Sequence, residues 1–342
     1  MLLRDLTTLR LGGPAASYVE ATTDAELVEA VTHADAAGTP VLLVAGGSNL
    51  VVADEGFPGL VVKVATTGVT SREVDGGVEV TAAAGEGWDD FVEHTVANGW
   101  VGVEALSGIP GAVGSTPIQN VGAYGQEVSE TILAVRVWDR VLKGERTFAG
   151  EECSFGYRHS RFKADPDRHV VLDVTFRLAV GEESAPVKYA ELARTLGVEP
   201  GERAPLAAVR ETVLGLRAGK GMVLDAVDHD TWSAGSFFTN PFLTEEQAAA
   251  LPADAPRFPQ PDGTVKSSAA WLIDHAGFGK GYGADQRGGR VSLSTKHTLA
   301  LTNRGGATTA DLLDLAREVQ AGVEARFGVR LVNEPVCVGC AL

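Results

Sequence analysis

Apolar residues recur along this chain in two rhythms, one with the spacing of a helix face and one with the alternation of a half-buried strand. Leu27, Ala30, Val31 and Ala34 share one face at helical spacing. Thr23 offers a capping hydroxyl, Asp24 and Glu26 place negative charge in the first turn, and Gly38 followed by Pro40 closes the segment. The spacing predicts a helix over 24–37. Extended segments at 18–21, 41–44 and 59–64 surround it and complete a βαβ-like unit. A second unit runs from about 67 to 180, with strands expected at 78–83, 132–138 and 170–178 and a helix at 89–97. Beyond Gly181 the chain turns polar, then carries a helical stretch at 207–217 and a third unit over 232–302. The clearest stripe is Leu312, Ala316, Val319, Val323 and Phe327, a helix over 310–327 ended by Gly328 and followed by extended 329–332. No internal repeat or low-complexity tract interrupts this order.

Composition narrows the class. With 342 residues the chain exceeds what one hydrophobic core usually serves, and 44% apolar residues suffice to fill two or three. A net charge of -16 argues against nucleic acid or an anionic membrane as partner, so an anionic substrate would need locally placed cations. Met1-Leu2-Leu3 is followed at once by Arg4 and Asp5, unlike a signal peptide, and no window is long and apolar enough to span a bilayer. A cytoplasmic location is expected. The three cysteines, an odd number, fit a reducing compartment. Cys337-Val-Gly-Cys340 has the spacing of a redox or zinc pair, yet it has no second pair and no nearby histidine. A pair of tail thiols is the plainer reading, and no metal is expected.

Candidate chemistry begins at Ala45-Gly46-Gly47-Ser48-Asn49. A double glycine after an apolar strand lets successive backbone N–H groups converge on one concavity, to which Ser48 and Asn49 add side-chain hydrogen bonds, as a pyrophosphate requires. Alone it could be only a turn. A second run, SGIPGAVGSTPIQNVGAYGQE over 107–127, brings Gly108, Gly111, Gly114, Gly122 and Gly125 into one apolar stretch that a flat ligand could approach closely. A loop so apolar and charge-poor would, without a ligand, have to bury unpaired backbone groups, so something is expected to cover it. Together the two runs predict a large dinucleotide.

Three other stretches carry reactive groups. In CSFGYRHSRFK over 153–163, either a half-buried strand with a solvated edge or a guanidinium fork beside an aromatic accounts for Tyr157-Arg158, and the fork suits a planar carboxylate. In SAGSFFTNP over 233–241, Gly235 frees the backbone at Ser236, while Phe237 and Phe238 cannot both face water and are expected to wall a pocket. Ser236 could be an ordinary buried hydroxyl, and no nucleophile-elbow sequence surrounds it. Glu334 precedes Pro335, which holds it extended, although an acid near a C-terminus is commonly a surface group. Arg217, Lys220 and Lys266 read more readily as surface cations, although they are the only cations near their glycine-rich or aromatic neighbours, and His297 reads as a core histidine.

The motifs GGSNL, SGIPGAVGSTPIQNVGAYGQE, YRHSRFK, AGSFFTNP, KSSAAWLID and LVNEP occur here in that order. In this the chain closely resembles the UDP-N-acetylenolpyruvoylglucosamine reductase (MurB) family from about Thr8 to Val336. The segment VKYAEL over 187–192 resembles its type I branch, in which a loop tyrosine closes over the substrate. The resemblance implies an α+β fold: an FAD-binding fold of the vanillyl-alcohol-oxidase type in two subdomains, with a C-terminal α+β substrate domain. These would span 1–66, joined by the C-terminal strand within 328–342, then 67–200, and 201–327. By motif match, Gly46, Gly47, Ser48 and Asn49 would take the FAD pyrophosphate. Ile109, Pro110, Gly111, Ser115, Ile118, Asn120, Gly122, Ala123, Tyr124 and Arg217 would complete the cofactor site. Tyr189, Lys220 and Asn240, with His297 a weaker candidate, would hold a UDP-N-acetylglucosamine enolpyruvate. Arg158, Ser236 and Glu334 would be catalytic, NADPH the co-substrate, FAD non-covalent and the chain a monomer. The product would be UDP-N-acetylmuramate, for peptidoglycan. His159, Thr239 and Gly279 depart from the usual pattern without replacing a catalytic type. Two rivals are weighed against this. An FAD-dependent sugar or alcohol oxidase on the same fold often attaches FAD through a histidine in the pyrophosphate loop, and AGGSN has none. A silent flavin-binding module would have no use for Arg158, Ser236 and Glu334 together.

Overall fold

Val78, Val80 and Ala82 are buried and the residues between them less so, the period-two pattern of a strand packed on one face. In the computed structural model, which describes residues 1–342, that strand, Gly77–Ala83, lies within an antiparallel sheet. The order is Gly144–Ala149, Ile132–Asp139, His169–Val180, Gly77–Ala83 and Val69–Val74, with Trp100–Val101 paired to the end of His169–Val180. A smaller sheet orders Ala15–Ala21, Phe57–Val64 and Val41–Val44, the last two running parallel. The mixture of helices with mostly antiparallel strands makes the fold α+β.

The chain gathers into two compact units, one of Ala16–Gly46 and Pro58–Ala218, the other of Met1–Ala15, Gly47–Phe57 and Gly219–Leu342. In the first, the helix Asp24–Ala36 starts at a full capping box: Thr23 accepts the Glu26 N–H while the Glu26 carboxylate accepts the Thr23 N–H. The helix Trp88–Ala97 buries Trp88, Phe91, Val92 and Thr95, one face at helical spacing. Trp88, Phe91 and Phe176 meet with ring centroids 4.9–6.0 Å apart in the core, and each such fully buried side chain is worth roughly 1.5–3 kcal/mol. The helix Leu206–Gly219 packs Val209 and Val213 on a satellite cluster with Val187 and Leu192.

In the second unit the helix Thr309–Phe327 buries Leu312, Leu315, Ala316, Val319 and Val323, and Gly328 ends it with φ +66°. Asp54 accepts the N–H groups of Thr309 and Ala310 at 2.8 and 3.1 Å, a carboxylate at the positive end of the helix. Asn303 donates to Leu9 O at 3.0 Å and so ties the N-terminal segment to the C-terminal part of the chain. The extended segment expected at 329–332 forms no regular strand. In backbone-to-backbone bonding only Val332 O joins the neighbouring chain, accepting Thr239 N–H, and the final strand, Val336–Val338, pairs parallel with Leu50–Val52 instead. All three cysteines are free thiols, and burial pushes Cys153 and Cys337 up to about 11.

Candidate functional site

The two glycine-rich runs meet backbone to backbone. A Cβ on Gly46 would lie 2.5 Å from Gly111 Cα and 2.9 Å from its carbonyl carbon, so neither strand end nor loop could approach this closely with side chains present. Around this contact the run is laid against residues 84–88. Trp88 N–H donates to Gly111 O at 3.1 Å, Val113 N–H to Glu86 O at 2.9 Å, and Gly114 N–H to Ala84 O at 2.8 Å. A Cβ on Gly114 would strike Ala84 Cβ at 2.5 Å. The Lys63 ammonium donates to Ala45 O at the end of the preceding strand, and burial pushes its pKa down. Ile109 and Pro110 are half-buried beside Gly111, and Ser115 closes the short 3-10 turn Val113–Ser115.

Further along, three of the candidate residues adopt left-handed backbone: Asn120 (φ 46°), Tyr124 (φ 48°) and Arg158 (φ 50°). Such conformations cost energy and concentrate where function holds them in place. Arg158 donates Nη1 to Asn120 O at 3.3 Å and Nη2 to Gly122 O at 2.7 Å, and its own carbonyl accepts the Lys163 ammonium at 3.0 Å. Asn120 in turn donates to Glu127 Oε2 at 2.8 Å and Gly156 O at 3.1 Å, while its Oδ1 accepts Ser129 N–H at 3.1 Å. A Cβ on Gly122 would meet Glu127 Cγ at 2.7 Å and Gln126 O at 3.0 Å, so a side chain there would have to displace its neighbours. The segment 153–163 is therefore no strand. Gly156 and His159 close a tight turn on which Arg158 sits, and the Ser160 side chain caps Arg161–Ala164 while donating to Ile118 O. Ala123 is half-buried against the core. The Tyr124 and Tyr189 rings stand edge to face with centroids 5.4 Å apart, and Tyr189 is exposed. Arg217, on the helix Leu206–Gly219, has its Nε sealed from solvent, and burial pushes its pKa down to about 10, still cationic at neutral pH.

The second unit collects the other candidates. Gly47 (φ 60°) leaves no room for a side chain, because a Cβ would lie 1.8 Å from Leu6 O, and its carbonyl accepts Thr8 N–H at 3.2 Å. Ser48 and Asn49 are half-buried. Asn49 O accepts Val336 N–H at 2.9 Å and its Nδ2 points to Glu334 O at 3.5 Å. Glu334 N–H donates to Phe237 O at 2.8 Å, and Phe237 N–H to Leu299 O at 2.7 Å. The segments bearing Asn49, Ser236, Glu334 and, two residues before Leu299, His297 thus lie side by side. Gly235 takes φ +71° next to half-buried Ser236. Phe237 and Phe238 are both 1% exposed and serve as core residues. Asn240 Oδ1 accepts Ala269 N–H at 3.0 Å, which places it at the start of the helix Ala269–His275. Lys220 precedes Gly221, where a Cβ would lie 3.1 Å from Asp230 O, and Asp230 binds Thr295 and Arg304 (2.6 Å). Asp230, Lys63, Asp89 and Arg210 escaped the sequence reading, because nothing in their local patterns marks them.

Comparison with known proteins gives this arrangement a class. Residues 15–145 match the model of an FAD binding domain, and 226–338 that of the UDP-N-acetylenolpyruvoylglucosamine reductase C-terminal domain. The chain is a flavoprotein with an FAD-binding domain. The reductase of Streptomyces avermitilis is 61% identical, over 99% of this chain and 94% of that protein, and the reductase of Cutibacterium acnes 59% identical, over 99% and 90%. The crystal structure of the Thermus caldophilus reductase (MurB) superimposes with a TM-score of 0.67 at 26% identity, over 99% of this chain and 97% of that one. The chain belongs to the UDP-N-acetylenolpyruvoylglucosamine reductase family, FAD-dependent oxidoreductases of peptidoglycan synthesis. No helix is long and apolar enough to cross a membrane.

Proposed function

We propose that the enzyme reduces UDP-N-acetylglucosamine enolpyruvate to UDP-N-acetylmuramate with NADPH, in the cytoplasm and as a monomer. Family membership over nearly the whole chain carries this reading. The residues fit FAD: Gly46 and Gly122 are positions where a Cβ would collide with its neighbours and Gly111 takes φ +136°, so the backbone here is bare, as close approach of a flat, anionic ligand requires. Gly46, Gly47, Ser48 and Asn49 would hold the pyrophosphate. Ile109, Pro110, Gly111, Ser115, Ile118, Asn120, Gly122, Ala123, Tyr124 and Arg217 would hold the remainder. When bound, FAD supplies the hydride exchange that couples NADPH oxidation to reduction of the sugar ether. We apportion 1–66, 67–200 and 328–342 to the cofactor and 201–327 to the nucleotide sugar, gripped by Tyr189, Lys220, Asn240 and His297.

The chemistry follows from where charge moves. Addition of hydride to the terminal methylene carbon pushes electrons into the carboxylate, giving an enediolate. Arg158, whose fork is held by the carbonyls of Asn120 and Gly122, would stabilise that charge with donors already in place. Glu334 would add a hydrogen bond if it holds or shares a proton. Ser236 would protonate the adjacent carbon; a hydroxyl is a weak acid, but an enediolate carbon is a strong base. In Ser236→Ala, NADPH still bleaches the flavin at its normal rate while reoxidation by the enolpyruvyl substrate is lost. Equal loss of both half-reactions would refute the assignment.

A further inference from the structure

Asp89, in the first turn of the helix Trp88–Ala97, is not one of the residues to which the cofactor reading assigns a role, yet it joins two segments that carry such residues. Its Oδ1 accepts Gly108 N–H at 2.5 Å and Arg210 Nη1 at 2.7 Å, and its Oδ2 accepts Arg210 Nη2 at 3.0 Å. This is a fork-to-carboxylate pair, the most directional ion pair available to side chains. The Arg210 side chain is 11% exposed and that of Asp89 37%, so the pair is shielded from one side only and it is the two-point geometry that sets it apart from a single-contact surface bridge.

Each end of the pair leads to the cofactor residues. Gly108, with φ +71°, opens the run that continues through Ile109, Pro110 and Gly111, so a carboxylate on its N–H fixes where that run starts. Arg210 stands seven residues before Arg217 on the helix Leu206–Gly219, two turns along the same face. Holding Arg210 holds the rotation of the helix and with it Arg217. Charge links them as well. Burial alone would push the Asp89 carboxyl up, but Arg210, the Gly108 N–H and the Arg217 charge hold it below its ordinary value, and Asp89 in turn favours the cationic form of Arg217.

We infer that Asp89 and Arg210 form a positioning clamp for the flavin site, locking the 108–111 run and the Arg217 helix into one geometry. The inference rests on reading Gly111 and Arg217 as cofactor-binding. Neither residue needs to touch FAD; both act through groups that would.

Asp89→Asn keeps an oxygen for Gly108 but removes the charge, and Arg210→Gln removes the fork. FAD affinity, measured by quenching of flavin fluorescence on titrating apoprotein, should weaken tenfold or more in each. Because the two act as a unit, the double variant should lose no more than either single one. At saturating FAD the visible circular dichroism of the bound flavin should differ from the wild type in all three, a signature that simple destabilisation would not produce. Unchanged affinity and dichroism, or losses that add in the double variant, would overturn the clamp. Gly111→Ala separates the two claims. If it abolishes FAD binding while the clamp variants bind normally, the clamp is wrong and the site stands. If it too binds FAD normally, the reading of the site on which the clamp rests is wrong.

Discussion

Gly46→Ala adds one methyl group at the point where the two glycine-rich runs touch. Gly46 does not use a left-handed φ, so contact alone decides the outcome. The new carbon would lie 2.5 Å from Gly111 Cα, 2.9 Å from its carbonyl carbon and 3.2 Å from its nitrogen. Carbon atoms rest about 3.5–4.0 Å apart, so the two backbones must separate by ~1 Å. All three neighbours are backbone atoms held by the bonds to residues 84–88, and no flexible side chain can yield. Forcing a methyl into packed structure costs about 1–3 kcal/mol. If that strain is expressed where the cofactor binds, FAD affinity falls about 5- to 150-fold. The assay is the visible flavin absorbance retained on purification, followed by FAD titration of the apoprotein. Gly181→Ala is the control, since a Cβ there meets nothing within 4 Å and its φ is unrestrictive. Gly46→Ala with wild-type FAD affinity, or Gly181→Ala weakened as much, would refute the reasoning.

Two further predictions concern pH and stability. Burial pushes the Asp139 carboxyl up, but Arg168 and the N–H groups of Leu142 and Val141 outweigh it and bring the pKa to about 2. Its folded value lies below the ordinary 3.8, so its contribution is complete above that pH and is lost as pH falls towards about 2. Asp139→Asn should be less stable at neutral pH and show a flatter acid-unfolding curve; a parallel curve would contradict this. His169 is the reverse of a well-satisfied group: its side chain is 4% exposed and neither ring nitrogen has a hydrogen-bond partner. Burial pushes its pKa below 6.5, so the neutral ring is favoured and stability declines as pH falls through that value. His169→Leu should match or exceed wild-type stability by up to about 1 kcal/mol and lose that decline in denaturant titrations at pH 5 to 7; a large destabilisation would count against it.

Sequence legibility followed the strength of each physical signal. The helices at Asp24–Ala36 and Thr309–Phe327 carry both an apolar stripe and caps, and their ends fall within a residue or so of expectation. Val69–Val74 and Gly144–Ala149 are the edge strands of their sheet, mostly exposed, so they present no alternation to read. At 329–332 the apolar residues were plain, but the backbone bond there, from Thr239 N–H to Val332 O, depends on the neighbouring chain and no pattern in the segment encodes it. The glycine runs announced themselves by composition. The Arg158 turn did not: the residues of 153–163 suit a strand, and the left-handed φ comes from bonds to Asn120 and Gly122, more than thirty positions earlier. Asp89 and Arg210 read as ordinary helix charges, because what distinguishes them is a pairing across 121 residues.

The central claim is tested most directly by following the visible flavin band of the purified protein under anaerobic conditions. NADPH is added first, then UDP-N-acetylglucosamine enolpyruvate. The account predicts bleaching by NADPH and full recovery of the band on adding the sugar nucleotide, with UDP-N-acetylmuramate formed in equal amount. Recovery only when oxygen is admitted would contradict the reductase assignment, and a colourless protein that binds no added FAD would contradict the cofactor site itself.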